Sequence, residues 1–240
     1  MLLLSIHNFE REEKMEKKPF NITPPGHCTG CSACNNICPV KAIEMKENRD
    51  GFLSPVIDKE KCTGCGLCTK TCPVNNPQYR NLDKPECMAV VGKDEVREHS
   101  ASGGVFAVLA EHMLKKKGFI CGAAFQKDFS VGHRIVSGSN EKELMTLRGT
   151  KYVQSDMNTC YADTKELLEN GGLVLFSGLP CQVAGLYAYL GKEYDGLYTI
   201  DLLCHGVPSY KVFRQYVHDK FPGKEISSLN FRDKRNFPWS

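Results

Sequence analysis

The chain has 240 residues, 41% hydrophobic and 25% charged, the composition of an ordinary globular protein. Its 31 basic residues against 28 acidic ones leave a net charge of +3, too weak a field to recruit nucleic acid. No apolar run approaches the roughly 20 residues of a membrane helix, and thirteen cysteines without a secretory leader point to a reducing cytoplasm and metal chemistry.

Residues 1–23 start with four apolar residues and continue in mixed charges, which predicts a mobile tail. At Cys28 the chain reads CTGCSACNNICP, and at Cys62 it repeats the phrase as CTGCGLCTKTCP. Each copy has the spacing C-x2-C-x2-C-x3-C-P. Three thiolates in one tight loop grip three corners of an iron–sulfur cube, and in bacterial two-cluster ferredoxins the fourth cysteine of each run serves the other cluster. The spacing therefore assigns Cys28, Cys31, Cys34 and Cys72 to one 4Fe–4S cluster, and Cys62, Cys65, Cys68 and Cys38 to a second. Structural zinc needs two pairs of thiolates and leaves the third cysteine of each run without a role. Disulfides need a secreted context that nothing marks. Between the runs, Lys41-Ala42-Ile43-Glu44 reads as a helical turn and Phe52 to Ile57 as a strand. Residues 24–77 thus form a small ferredoxin-like two-cluster domain, and the polar, proline-containing stretch at 78–86 a linker.

From Cys87 the pattern changes. MAVVGK reads as a short strand. SASGGVFAVLAEHMLKKKG reads as a helix with Val105, Val108, Leu109, His112 and Met113 at helical spacing, stopping at Gly118. FICGAAF is a strand and NEKELMTL a short helix. NTCYADTKELLENG is a helix with Asn158 as its N-cap and Gly171-Gly172 at its end. LVLFSG, PCQVAGLYAYLG, LYTIDLLC and SYKVFRQYVHDKF follow as strand, helix, strand and helix, with ISSLNF as a last strand. This alternation predicts an α/β domain over 87–240 with a mainly parallel sheet, so the whole chain combines α+β and α/β parts.

Ligands of open parallel sheets sit beyond the carboxyl ends of the strands. Cys181 falls there, at a helix N-terminus whose dipole and free N–H groups favour a thiolate. Cys204 leaves the next strand, so parallel pairing would put both sulfurs on one rim. Buried packing is the competing reading for both. His205 could relay protons or simply hold a turn. Cys87, Cys121 and Cys160 read as packing or incidental residues. The loop Ser102-Gly103-Gly104 could cradle a phosphate, and Arg148-Gly149-Thr150-Lys151-Tyr152 offers two cations, a glycine turn and an aromatic. Each has a plain structural reading as well: a helix start and a solvated basic loop.

Behind the double cysteine module, SASGGVFAVLAEHMLKKKG, LRGTKYVQSD, LFSGLPCQVAGL and DLLCHGVPS occur in this order. The set resembles the coenzyme F420 hydrogenase/dehydrogenase beta-subunit family, in its bacterial form with an N-terminal ferredoxin domain. The resemblance implies a flavoprotein with iron–sulfur clusters, in which Ser102, Gly103, Gly104, Arg148, Gly149, Thr150, Lys151, Tyr152 and Gln182 surround FAD. It also implies that Cys181 and Cys204 belong to a further iron–sulfur cluster, whose remaining ligands lie past the FRDK segment at Phe231, so that the chain reads as C-terminally incomplete. Leu179 departs from the family's G-T-P-C-Q, removing a hydroxyl near the cofactor.

The expected function is an oxidoreductase moving electrons between a small hydride carrier, at FAD, and a redox partner protein or subunit, through two 4Fe–4S clusters. The alternative is a non-catalytic ferredoxin-type subunit without flavin. A third reading, from a different class, is a redox sensor whose clusters report oxygen. No nucleic-acid partner and no membrane span are expected.

Overall fold

The computed structural model describes residues 21–77, 84–137 and 141–232. Most of the expected tail (1–20), the core of the expected linker (78–83), Asn140 and the end of the FRDK segment lie outside the described residues. Among the described residues no helix is long and apolar enough to cross a membrane.

In the N-terminal module each cysteine run ends in one helical turn, α1 (Ala33–Ile37) in the first run and α2 (Leu67–Thr71) in the second. Each turn follows a left-handed residue, Ser32 or Gly66, which reverses the chain between the second and third cysteines. A hairpin of β1 (Ile43–Glu47) and β2 (Leu53–Ile57) connects the runs, with Ile43 opposite Ile57. The strand expected to end at Ile57 is present. The helical turn expected at Lys41–Glu44 is not: Lys41 adopts a positive φ, the Asp58 N–H donates to the Ala42 carbonyl at 2.8 Å, and Ile43 opens β1. Cross-strand pairing overrides the modest helical preference of the Lys-Ala-Ile-Glu tetrapeptide.

The second domain begins differently from expectation. MAVVGK finds no strand to pair with. Its Met88 and Val90 are exposed, and the Gly92 N–H donates instead to the Gly103 carbonyl at 2.7 Å. Then come α3 (Asp94–Glu98), which the sequence pattern did not predict, and α4 (Val105–Lys115). In α4 the face turned inward is Ala107, Ala110 and Met113, whereas Val105, Val108 and Leu109 of the expected apolar stripe are exposed. Two alanines let this helix lie close to the sheet, which outweighs burying the larger valines.

The remaining elements are β3 (Phe119–Phe125), β4 (Val131–Ser137), α5 (Glu141–Leu147), β5 (Ser155–Asp156), α6 (Cys160–Glu169), β6 (Val174–Gly178), α7 (Pro180–Leu190), β7 (Leu197–Asp201) and α8 (Tyr210–Lys220). They build one five-stranded sheet in the order β5-β4-β3-β6-β7, parallel at every pairing except the β3–β4 hairpin. The sheet is therefore mainly parallel, as expected, with an unforeseen hairpin in which Phe119 faces Ser137. Asn158 is not the N-cap of α6. It has a positive φ and its amide donates to the His133 carbonyl at 3.1 Å, leaving the cap to Thr159. ISSLNF forms no strand; Phe231 at its end stacks on Phe125 and packs against Phe213 of α8.

Alternation along the strands gives the sheet two apolar faces. Ile120, Val136 and Leu175 point to α4 and α5, while Cys121, Ile135, Val174 and Phe176 point to α6 and α7. The second face also takes in Cys31 and Ala33, so the cysteine module shares a core with the sheet domain. Burial of the alanine face of α4 is open to a direct test. Ala110→Leu should destabilise by about 1–3 kcal/mol through overpacking, whereas Val108→Thr should stay within about 0.5 kcal/mol; urea unfolding under anaerobic conditions measures both.

Candidate cofactor cavity and cysteine centres

The first quartet is drawn together across the two runs. One small cavity is lined by Cys28, Cys31, Cys34 and Cys72. Burial raises the Cys28 and Cys34 thiols, and the charge Cys72 would carry lies close enough to raise both further. Burial likewise pushes Cys31 up to about 12, with the nearby Cys181 and Cys72 adding to it. In the second run, Cys68 is raised by burial and by its neighbours Cys62 and Cys65. Cys38 packs in the same apolar cluster as Cys62 and Cys68, and accepts from the Ala42 N–H at 3.2 Å. Among the described residues no three His, Cys, Asp or Glu side chains converge as one ion requires. A cubane, which takes each thiolate on a separate iron, does not ask for such convergence.

The two quartets differ in setting. In the first, Cys31, Cys34 and Cys72 are buried and Cys28 is exposed; in the second, Cys38 is buried, Cys62 and Cys68 are half-buried and Cys65 is exposed. Cys31 faces α7 at very close range: a Cβ at Gly185 would sit 3.2 Å from the Cys31 Sγ and 2.8 Å from the Tyr161 hydroxyl. That hydroxyl lies 2.8 Å from both the Cys31 and Gln182 carbonyls and shares its one proton between them. Cys181, at the start of α7, has its sulfur near the Thr29 hydroxyl, which also neighbours Cys31. The expectation that the helix N-terminus favours a Cys181 thiolate fails on balance. Burial and the neighbouring Cys204 raise the thiol more than Thr29 and the backbone N–H groups lower it.

Beyond the carboxyl ends of β6 and β7 lies a cavity of about 550 Å³, within the usual range of cofactor sites. Its lining collects Ser102-Gly103-Gly104, Arg148 through Tyr152, Gln182 and Cys204, together with His205. Of the residues singled out for a cofactor, Cys181 is absent from this lining and neighbours both Cys204, which is in it, and Cys31. Leu179 also lines the wall. Parallel pairing of β6 with β7 is what brings Gln182 and Cys204 to one rim. Cys204 itself is exposed and accepts from the Gly206 N–H at 3.3 Å.

Several lining groups already have partners. Lys151 places its ammonium among four carbonyls, those of Thr146, Leu147, Arg148 and Gly149, at 2.8–3.2 Å, so it caps the C-terminus of α5. Burial pulls that ammonium down to about 8, with the charge of Arg134 adding to the effect. Arg148 pairs with Glu111 at 2.6 Å, although its buried Nε has no partner. Gln182 accepts from the Leu179 N–H at 2.8 Å and donates to the Ser155 hydroxyl at 2.9 Å. Gly103 lies against the Val90 carbonyl, 3.0 Å from where its Cβ would be, and Gly104 opens α4 at a positive φ. The packing role expected for Cys121 and Cys160 is what they show: both are buried and their thiols interact. Cys87 is exposed.

Sequence reasoning missed His133, which lies on β4 at the cavity's inner wall. The alternation of VGHRIVS was the available signal. Its Nε2 lies 3.1 Å from the Ser177 carbonyl and therefore carries the proton; the buried Nδ1 is left as an acceptor without a partner. It also missed Thr29, Tyr161 and Gly185, whose roles depend on contacts over more than a hundred residues of separation.

Comparison with known proteins fits this geometry. Residues 27–76 and, overlapping them, 54–104 match models of the 4Fe–4S dicluster domain. Residues 171–239, which include Cys181, Cys204, β6, α7 and β7, match the model for the C terminus of the coenzyme F420 hydrogenase/dehydrogenase beta subunit. The chain therefore carries a dicluster iron–sulfur match in its N-terminal part and a match to the C terminus of that beta subunit in its C-terminal part. It is thus an iron–sulfur electron-transfer protein related to that beta subunit. Among solved structures, a chain of the F420-reducing NiFe hydrogenase complex from Methanosarcina barkeri is 21% identical, with a TM-score of 0.44. The match covers 54% of the present chain and 47% of the other, so it spans about half the length of that relative. No curated protein matches.

The buried His133 makes a prediction about pH. Burial, helped by the charge of Lys151 and opposed by the Ser177 carbonyl, holds its pKa near 4 against an ordinary 6.5. An unfolded chain takes up a proton as pH falls through 6.5 that the folded chain refuses until near 4, so stability is lost over that interval. His133→Gln should lose this component, and unfolding midpoints of the two proteins between pH 7 and 4.5 should converge as the pH falls.

Proposed function

We propose that the chain is an iron–sulfur flavoprotein of the cytoplasm that exchanges electrons between a small hydride carrier and a one-electron redox partner. The single observation that supports it is a chain of neighbouring sulfurs. Cys204 lines the cavity holding the expected cofactor residues, and Cys181 neighbours both Cys204 and Cys31 of the first quartet. In this reading Cys28, Cys31, Cys34 and Cys72 hold one 4Fe–4S cluster, and Cys38, Cys62, Cys65 and Cys68 the other.

FAD suits the cavity in part. The first turn of α4 offers backbone N–H groups for a phosphate, and the buried Arg148 Nε and His133 Nδ1 offer a donor and an acceptor that want partners. When bound, FAD exchanges a hydride with one partner and single electrons with others. The protein's own contribution is to exclude water behind Leu147 and Val153, to orient the ring edge with His133, and to keep Cys31 close. The hydride carrier would enter beside Leu203 and His205, at the exposed end of the cavity.

One observation favours the non-catalytic alternative. Two of the three cations of the lining are already committed, Arg148 to Glu111 and Lys151 to carbonyls, and Arg232 is the third, so the positive charge offered to a pyrophosphate is reduced. Anaerobic reconstitution with FAD, followed by fluorimetry of flavin released on denaturation, separates the two. About one FAD per chain, lost in Arg148→Ala, is expected; an iron-replete protein with no flavin returns the chain to the carrier reading. The exchange of fourth ligands has its own test. Cys72→Ala should reduce iron from about eight to about four per chain and perturb the centre held by Cys28, Cys31 and Cys34, leaving that of its own run intact.

A further inference from the structure

The two quartets are not equivalent in their surroundings, and this decides where a partner can approach. Resting on the assignment of both quartets as cluster ligands, we infer that the second quartet is the outward terminal, and that its rim is the docking surface for an acidic one-electron carrier protein.

The first quartet is closed off on the inner side. Cys31 meets Gly185 of α7, its carbonyl is held by Tyr161, and the Thr29 hydroxyl neighbours both its sulfur and that of Cys181. A protein partner cannot reach it from that side. The second quartet is the more open: Cys65 is exposed, Cys62 and Cys68 are half-buried and only Cys38 is buried, whereas in the first only Cys28 is exposed and the other three are buried. Two large apolar side chains stand free beside it. Val40 is two residues past Cys38 and Leu67 is next to Cys68, and they are 40% and 39% exposed. The segments that carry them are held together by the Asp58 N–H donating to the Ala42 carbonyl and the Cys62 N–H to the Asp58 carbonyl, at 2.8 and 3.0 Å.

Around this apolar centre the surface is basic. Lys41, Lys59, Lys61 and Lys70 are exposed there, against Asp58 and Glu60. Asp58 is held ionised by the Glu60 N–H and pairs with Lys61 at 3.3 Å. An apolar centre with a charged rim is the anatomy of a transient interface, and rim charges act mainly on the rate of encounter. The excess of lysine selects a partner with carboxylates around its own redox centre. Each encounter moves one electron: the carrier is oxidised by one as the chain is reduced by one, or the reverse, with no proton or atom transferred.

The test uses the full chain, reconstituted anaerobically, with a reduced acidic plant-type 2Fe–2S ferredoxin as probe. Stopped-flow spectroscopy reads the second-order rate of electron transfer at low and high salt. The wild-type rate should fall as salt rises, and Lys41→Glu/Lys70→Glu should lower it about tenfold or more at low salt, the scale of electrostatic steering. Lys165→Glu on α6, where the lysine neighbours Glu169 and the Tyr189 ring instead, should leave it unchanged. Iron, acid-labile sulfide and the electron paramagnetic resonance of each reduced protein are measured alongside. A wild-type protein without iron centres defeats the quartet assignment itself. Iron-replete proteins whose rates ignore both salt and the lysine reversals overturn the docking surface and leave that assignment standing. A change from dimer to monomer in the lysine variant, with the rate unaltered, also overturns it, by making this face a contact between copies.

Discussion

The structure depends on one close approach, that of the first cysteine loop to the helix after β6. With no side chain at Gly185, the Cys31 sulfur comes to rest almost on the backbone of α7. The Tyr161 hydroxyl then satisfies two carbonyls, one from the loop and one from the helix, with a single proton. A buried carbonyl left without a donor costs roughly 1–3 kcal/mol, so this tyrosine does more than fill space. It makes the loop and the sheet domain one body. Other contacts hold the module in the same place: the Asn36 amide donates to the Asn158 carbonyl at 2.9 Å, the Leu53 N–H donates to the Gln154 side chain at 2.7 Å, and Arg214 pairs with Glu47 at 3.0 Å.

The sheet supplies the second half of the arrangement. Because β6 and β7 are parallel neighbours, the turns leaving them open on the same side, and Gln182, Cys204 and His205 share a rim. Cys181 begins the helix that packs against the module, so it looks both ways. The Cys31 and Cys181 thiols are raised by burial rather than activated, so neither is a ready nucleophile. The same low-polarity surroundings keep His133 neutral and leave its Nδ1 as an acceptor at the inner wall.

Departures from the sequence pattern have a common cause. Of the stripe Val105, Val108, Leu109, His112 and Met113 that reads as the core face of α4, Met113 is buried, and it is joined there by Ala107 and Ala110 rather than by the valines and Leu109. Periodicity reports which residues share a face and not how near the sheet the helix must lie. MAVVGK and ISSLNF have the composition of strands, but a strand exists only where an edge is free to pair. Lys151 reads as a cation for a ligand and is found closing the end of α5. Its charge was legible, while its partners, backbone carbonyls, carry no signature in sequence.

What the sequence determined by itself was chemistry carried by spacing. Eight cysteines in two runs, the glycine at the start of α4, and the proline and glycine bounding α7 act through covalent neighbours, so their meaning survives without a fold. Everything that required two distant segments to meet was decided by the tertiary structure: the hairpin of β3 and β4, the gathering of Ser102, Arg148 and Cys204 around one cavity, and the contact of Cys31 with Gly185. The physical reason is that burial and hydrogen bonding between remote segments depend on which surfaces are left to pair once each local element has formed, and no window of sequence contains both partners.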